Sequence, residues 1–370
     1  MKGMKRTNEG EAELVLSEKV FFNPQMELCR DISSLAAGAY CEDFGKRMHL
    51  VDGLCATGAR GVRYAKENSC VGRVEFVDVK EDACKLAERN AKLNKLKDYE
   101  VHCCHINDFL FHNRGFDWVE IDPFGTPLPY LQSALASFRK KGMLSITATD
   151  TAVLCGAHPK ACLKNYGARP IDNEYCHETG VRILAGAVVR HASSLNLGAE
   201  FCLSLSAQHF FKLFVRLGAG AKEAVENVKK LGYISHCPKC LNREWRLNPP
   251  VLKEKCPRCG GKFEHAGPLF LGELWDVRFL REMRGINQQR NYANKWKIDE
   301  LLALMEEESG MPPTYFDLHK VAEKLRKSPP NFENFISKLR GKGFRVSRTH
   351  FKRNSVRSNA GIKDVSSAFQ

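Results

Sequence analysis

The sequence predicts an α/β fold built on a mostly parallel sheet. Apolar runs alternate with helical patterns between Lys46 and Thr147. Three of the runs end on an acid (Asp52, Asp78 and Asp122), and a glycine-rich turn, GLCATGARG, follows the first. Alternation of this kind marks crossover units in which helices cover the faces of a sheet.

In order, Lys46–Asp52 (KRMHLVD) is the first strand, and a helix follows from Val62 to about Asn68. Arg73–Asp78 is the second strand. A helix from about Glu81 to Asn94 places Ala83, Leu86, Ala87 and Leu93 at its apolar positions. Strands are expected at about Glu100–Cys104, Asp117–Ile121 and, after a further helix, Gly142–Thr147. A polar-studded helical insertion covers about Ala152–Leu197, and Glu200–Leu217 reads as two strands forming an antiparallel hairpin at the sheet edge. Beyond Gly232 a Cys/Pro/Lys module runs to about Phe270, followed by helices. The last stretch reads helix Phe316–Arg326, a Pro-Pro break, helix Phe332–Leu339 and strand Phe344–Arg348, the order of a winged helix-turn-helix. The expected units are 1–228, 229–275 and 276–370.

At 370 residues and 43% hydrophobic, the chain can bury a full core, which excludes global disorder. Its 57 Lys and Arg exceed its 43 Asp and Glu by 14, pointing to a polyanionic partner. From Gly341 to Lys363 there are seven basic residues (Lys342, Arg345, Arg348, Lys352, Arg353, Arg357 and Lys363) and no acid, so this segment reads as a phosphate-contacting surface or tail. No run approaches the roughly 18 apolar residues that span a bilayer, so a soluble, cytoplasmic protein without a membrane partner is expected. Most of the 15 cysteines, such as Cys55, Cys84 and Cys202, sit in apolar surroundings and read as small buried hydrophobes in a reducing compartment.

The turn DGLCATGARG between a strand and a helix lets backbone approach a ligand, and Asp78 lies twenty positions after Gly58, at the end of the next strand. An acid there can bind both hydroxyls of a ribose. The G-x-G-x-x-G spacing that cradles a pyrophosphate is absent, because Gly53, Gly58 and Gly61 do not fit it. A ligand with a ribose but no pyrophosphate, such as S-adenosylmethionine, matches better than NAD. Asp78 read alone could simply cap a helix. Asp108, in HINDF, follows the third strand where such folds meet an adenine, though an acid there can also be a loop cap.

The run Asp122-Pro123-Phe124-Gly125 ends the fourth strand, beside the crevice expected at the carboxyl ends of the sheet. An amino group on a nucleobase is a poor nucleophile because its lone pair is delocalised into the ring. A carboxylate and a neighbouring backbone carbonyl can accept its two N–H bonds and turn the lone pair toward a sulfonium methyl, and the carboxylate can take the released proton. Proline removes a competing donor, and the aromatic can stack on an extruded base. A turn in which Asp122 caps and Phe124 packs is the bland alternative.

Cys237 and Cys240, then Cys256 and Cys259 fifteen residues later, have the C-x2-C…C-x2-C spacing of a four-thiolate zinc ribbon, a closed structural site with no open position for catalysis. His236 and His265 flank the knuckles and read as surface residues. Lys239, Arg243, Arg246, Lys253, Lys255, Arg258 and Lys262 make the expected exterior of the module basic.

Together these runs resemble the tRNA (guanine-26-N2)-dimethyltransferases, the archaeal form in particular. The matching stretches are VFFNPQM with Arg30-Asp31, DGLCATGARGVR, IDPFGTP, TATDTAVLCGAHPKACLKNYGARP, HETGVRIL and RVSRTHF, from about residue 20 to 351. The resemblance implies a class I (Rossmann-like) methyltransferase sheet and a C-terminal α+β domain containing the zinc ribbon. It implies two methyl transfers from S-adenosylmethionine to the exocyclic N2 of guanosine 26 in tRNA, with no protein partner required. On this resemblance Arg30 and Arg60 help hold the cofactor, Asp78 binds its ribose, and Asp108 with the backbone of Phe109 binds its adenine. Asp122 is the catalytic carboxylate, Pro123 supplies the carbonyl, and Phe124 and Phe21 cover the two faces of the base. HINDFLF departs from the family's aspartate–alanine pair, and the ribbon varies among members. Two rival readings are an amino-methyltransferase acting on DNA or rRNA, whose D-P-P-[FY] motif shares the logic, and a non-catalytic RNA-binding adaptor.

Overall fold

The computed structural model describes residues 4–248 and 251–369. The chain opens with an antiparallel hairpin, β1 (Met4–Glu9) and β2 (Ala12–Ser17). The central sheet follows: β3 (Met48–Gly53), β4 (Val71–Asp78), β5 (Tyr99–Cys103), β6 (Phe116–Ile121), β7 (Phe138–Ala148), β8 (Leu197–Ala207) and β9 (Phe210–Ala219). These seven strands lie in the order β5-β4-β3-β6-β7-β9-β8, and only β9 runs antiparallel to its neighbours. Strand order reverses at β3, so a crevice opens between the carboxyl ends of β3 and β6, where open α/β sheets bind ligands.

The buried strands are apolar on both faces, as helices on either side demand. Leu50, Val51, Trp118, Val119, Leu144 and Ile146 are fully buried. Polar residues are buried among them too, and those nearest the crevice lie on two neighbouring rows, Asp52 opposite Glu120 and Thr147 opposite Lys212. The insertion folds as helices Thr151–Leu154, Pro159–Tyr166 and Cys176–Ser194, and the β8–β9 hairpin takes the sheet edge as expected.

Beyond the sheet, β10 (Leu231–His236), β11 (Arg243–Leu247) and β12 (Glu264–Phe270) form a small antiparallel sheet carrying the cysteine knuckles. Helices Val277–Gln289 and Lys295–Glu307 bury Phe279, Leu280, Met283, Ile298 and Leu302 in the same core as the central sheet. Residues 316–369 have a separate core around Phe335, Leu339 and Val356.

Three expectations are corrected. The helix expected from Phe316 starts at Leu318, because Phe316 and Asp317 form strand β13 and the Asp317 carboxylate caps the helix by accepting from the His319 and Lys320 amides. The basic C-terminal run is folded, into β14 (Val346–Arg348), β15 (Ser355–Ser358) and the helix Ile362–Ser367. Arg357 within it is only 1% exposed and pairs with Glu178 and Glu308. His236 is buried, edge-on to Tyr175, and Arg243 turns inward onto Glu174, Tyr175 and Phe316 rather than outward to solvent. Cys55, Cys84 and Cys202 are buried thiols, as expected, and Cys41 stands beside Cys70 with their Cα atoms 6.0 Å apart.

Candidate active site

A cavity of about 780 Å3 occupies the crevice at the carboxyl ends of β3, β4 and β6. One wall is the turn after β3. Leu54 and Ala56 adopt positive φ angles of 59° and 47°, and Gly58 follows at 71°, a succession of left-handed residues that bends the backbone sharply. Gly61 has no space for a side chain: a Cβ there would lie 2.5 Å from the Phe76 ring and 2.9 Å from Asp52 Oδ2. Its amide donates to that same oxygen at 2.8 Å, locking the helix Ala59–Glu67 to the end of β3. Burial pushes the Asp52 carboxyl up to about 7 against the pull of Arg60.

Asp78 lines the cavity from the end of β4. Its carboxylate accepts from the Ala56 amide at 3.0 Å and the Lys80 amide at 2.9 Å, so it stabilises both the turn and the start of the next helix. The capping role and the ribose-binding role are compatible, since a carboxylate has about four acceptor positions.

Arg30 also lines the cavity. The N-terminal hairpin orients it through a two-pronged pair with Glu9 at 2.6 Å, and its guanidinium lies 4.7 Å from the centre of the Phe22 ring. Arg60 lines it too, with its guanidinium directed elsewhere than at a ligand. It donates to Asp122 and, at 2.7 Å, to Ser33, and its Nε lies 3.6 Å from Glu120.

Asp108 and Phe109 do not line this cavity. Asp108 is exposed in the first turn of the helix Ile106–His112, and the Phe109 ring is buried against Phe116 and His102. The Phe109 amide is taken by His105 within the helix. The wall near Asp78 is made instead by Val79, Lys80, Ala83 and Tyr130.

Asp122, Pro123 and Phe124 stand at the other wall. Gly125, at φ 79°, donates to Thr149 Oγ1 at 2.7 Å, and its carbonyl accepts from the Thr149 amide at 3.0 Å. The turn is thereby pinned to the segment after β7. The Pro123 carbonyl accepts no hydrogen bond among the described residues. Burial pushes the Asp122 carboxyl up, but the charges of Arg60 and Lys212 outweigh it and hold the group below the usual carboxylate range. A carboxyl held ionised in this way is a hydrogen-bond acceptor and a poor resting place for a proton.

Phe21 and Phe124 are exposed by 56% and 74%, an unusual exposure for two phenylalanines. Their rings meet edge-to-face, with centroids 4.7 Å apart and planes at 82°. The two rings expected to cover a base therefore touch each other at the cavity they both line. The tip of the β8–β9 hairpin, Gln208 and His209, completes the rim and was not anticipated from the sequence. Neither were Glu120 and Lys212, which lie beneath Asp122. The available signal was a single charged residue inside an apolar strand, VEI and FFKLF.

Some distance along the chain, the sulfurs of Cys237, Cys240, Cys256 and Cys259 all lie within 4.8 Å of one another. Leu241 and Gly260 take positive φ angles just after each pair, and the Leu241 and Gly260 amides bond back to the Cys237 and Cys256 carbonyls. These are two matching knuckles, and four converging sulfurs fit a tetrahedral thiophilic ion.

The family model described as N2,N2-dimethylguanosine tRNA methyltransferase matches residues 3–370. The chain is 38% identical to a tRNA (guanine(26)-N(2))-dimethyltransferase of Methanothermobacter thermautotrophicus, covering 94% of this chain and 91% of that one. It is 35% identical to a tRNA (guanine(26)-N(2)/guanine(27)-N(2))-dimethyltransferase of Aquifex aeolicus, covering 98% and 95%. Among solved structures, Trm1 from Pyrococcus horikoshii in complex with S-adenosyl-L-methionine superimposes with a TM-score of 0.90 at 31% identity, covering 98% of this chain and 99% of that one.

Proposed function

Since the chain belongs to the N2,N2-dimethylguanosine tRNA methyltransferase family, we propose that it methylates the exocyclic N2 of guanosine 26 in tRNA, twice, at the expense of S-adenosylmethionine. The observation that carries this reading is the juxtaposition, in one crevice, of the Asp122-Pro123-Phe124 strand end, the exposed Phe21 ring, and the glycine turn with Asp78. Neither a DNA or rRNA methyltransferase nor a non-catalytic adaptor is favoured by relatives that match over nearly the full chain.

S-adenosylmethionine, when bound, supplies an electrophilic methyl group on a sulfonium. Asp78 and the backbone of Leu54–Thr57 would hold its ribose, and Arg30 its carboxylate end. Arg60 supports the site through Asp122. The chain's own contribution to the chemistry is orientation and charge. Asp122 and the Pro123 carbonyl accept the two N–H bonds of the guanine amine, fixing its nitrogen toward the methyl donor. Phe21 and Phe124 hold the extruded ring between them. The fixed negative charge of Asp122 stabilises the positive charge that develops on nitrogen, without reorganisation at the moment of transfer. Because that carboxylate is held below its ordinary range, the released proton passes through it to solvent rather than staying on it. After the first transfer the methylated amine keeps one N–H, enough for one of the two acceptors.

The four thiolates of Cys237, Cys240, Cys256 and Cys259 would hold a structural zinc ion. We further propose a functional division into the methyltransferase unit 1–228, the ribbon module 229–275 and a tRNA-binding region 276–370, acting in the cytoplasm. Nucleoside mass spectrometry of tRNA treated with the purified protein and S-adenosylmethionine tests the whole reading. N2,N2-dimethylguanosine at position 26 is the expected product. Label appearing on rRNA or duplex DNA and not on tRNA would overturn it.

A further inference from the structure

Beneath Asp122 lies a chain of buried polar groups that the proposed reaction does not itself require. Lys212 and Glu120 are wholly buried and directly paired. Lys212 also donates to Thr147 Oγ1 at 3.0 Å, and the charge of Lys212 and the Thr147 side chain both favour the ionised form of Asp122. Glu120 accepts from the Tyr64 hydroxyl at 2.6 Å on its other oxygen. Arg60 sits between the two acids, donating to Asp122 with its Nε 3.6 Å from Glu120. Strand geometry accounts for the arrangement. Asp122 lies just past the end of β6, two residues after Glu120, while Thr147 of β7 is directly opposite Lys212 of β9.

Burying a lysine and a glutamate is costly, and an apolar pair of similar volume would hold the sheet as well or better. The pair therefore calls for a local electrostatic reason. Arg60 is contested between Glu120 and Asp122. With Lys212 and Tyr64 already serving Glu120, the guanidinium is left to Asp122. Remove Lys212, and Glu120 becomes the stronger claimant.

We infer that Lys212 and Glu120 are positioning residues for the reaction, holding Arg60 on Asp122 and so keeping that carboxylate ionised and aimed at the substrate amine. This rests on the reading of Asp122 as the acceptor for that amine. The groups facing Asp122 are Arg60 and Tyr64 from the helix Ala59–Glu67, Cys29 and Ser33 from the helix Glu27–Phe44, Asp52 from β3, Glu120 from its own strand, Thr147 from β7 and Lys212 from β9. Asp52, which burial pushes up to about 7 and the Glu120 charge raises further, is read separately: every profile is repeated in a D52N background, where the remaining acid limb reports Asp122.

The test is the pH profile of kcat/KM for tRNA methylation in the wild type, K212M, E120Q and K212M/E120Q. Removing the cation raises the acid limb, by about one pH unit or more in K212M. E120Q has the opposite sign, because it frees both cations for Asp122, and its acid limb moves down. The double variant, neutral at both positions, returns the limb toward the wild type. A purely structural pair would lower thermal stability without moving the limb in opposite directions. An unshifted K212M, an unmoved or raised limb in E120Q, or a double variant no closer to wild type than K212M overturns the inference. Should K212M fail to fold, E120Q decides it alone, a lowered limb supporting the inference and an unmoved or raised one overturning it. Full turnover in D122A would sink the reading of Asp122 itself, which is a separate outcome.

Discussion

Arg357 and Glu178 meet in a two-pronged ion pair, both contacts at 2.9 Å, although 179 positions separate them in the chain. Glu178 sits in the helix packed beneath the central sheet, and Arg357 in the C-terminal segment. Glu308 takes the third Arg357 contact at 2.8 Å, and Arg182 also donates to Glu178 at 2.8 Å. The pair thus rivets the C-terminal region to the methyltransferase unit. Truncating one member leaves a buried charge unpaired, at a cost of about 3–5 kcal/mol. R357A is expected to lower the thermal midpoint by many degrees, whereas R353A, at an exposed position, leaves it in place. Equal midpoints for the two would contradict the assignment.

On the proposed function, Asp122 is expected to be the most sensitive position for turnover. D122A is expected to lower kcat by at least about 100-fold while S-adenosylmethionine binding, followed by calorimetry, survives. Loss of cofactor binding in parallel with turnover would point to a collapsed cavity instead.

F124A and F21A address the mouth of the cavity. Removing one stacking surface costs about 1–3 kcal/mol per base, so each variant should raise KM for tRNA or lower kcat about tenfold or more. Thermal stability should change little, because both rings are largely exposed. A variant of either ring with wild-type kinetics would remove it from the base-binding site.

The exposed basic residues of the C-terminal region should contact phosphate. Arg345 and Arg353 make no ion pair among the described residues, unlike Arg348, which pairs with Glu333, and Lys352, which pairs with Asp317. The R345A/R353A variant is expected to weaken tRNA binding and reduce the slope of log K against log salt by about one per side chain removed. A slope equal to the wild type's would place the tRNA elsewhere.

Acid stability has two expected stages. Burial holds the His236 ring down to about 4. The unfolded chain therefore binds a proton between roughly pH 6.5 and 4 that the folded chain does not, and stability falls as pH drops through that window. Burial pushes Glu178 up, but Arg357 and Arg182 outweigh it and carry it down to about 2. Its contribution is present above the ordinary carboxylate value and is lost as pH falls from about 4.5 to 2. Denaturant titrations across pH should show the first loss flattened in H236F and the second flattened in E178Q/R357M.

The sequence by itself determined the sheet, the crevice and the main chemical groups. Strand ends carry acids at Asp52, Asp78 and Asp122, and a turn of small residues follows β3, because local spacing records which backbone approaches a ligand. The cysteine knuckles were equally plain, since the two pairs are each held within four residues. What only the tertiary structure decided is which charges meet. Lys212 belongs beneath Asp122 because β9 inserts between β7 and β8 and places it opposite Thr147. Arg357 leaves the basic surface because Glu178 and Glu308 await it inside. Asp108 and Phe109 turn away from the cavity because their helix buries Phe109 against Phe116 and His102. Coulomb energy depends on distance in space, and in a low-dielectric interior it is large. Linear order contains no such distance, so the partner of a charge is decided only when the strands are in register.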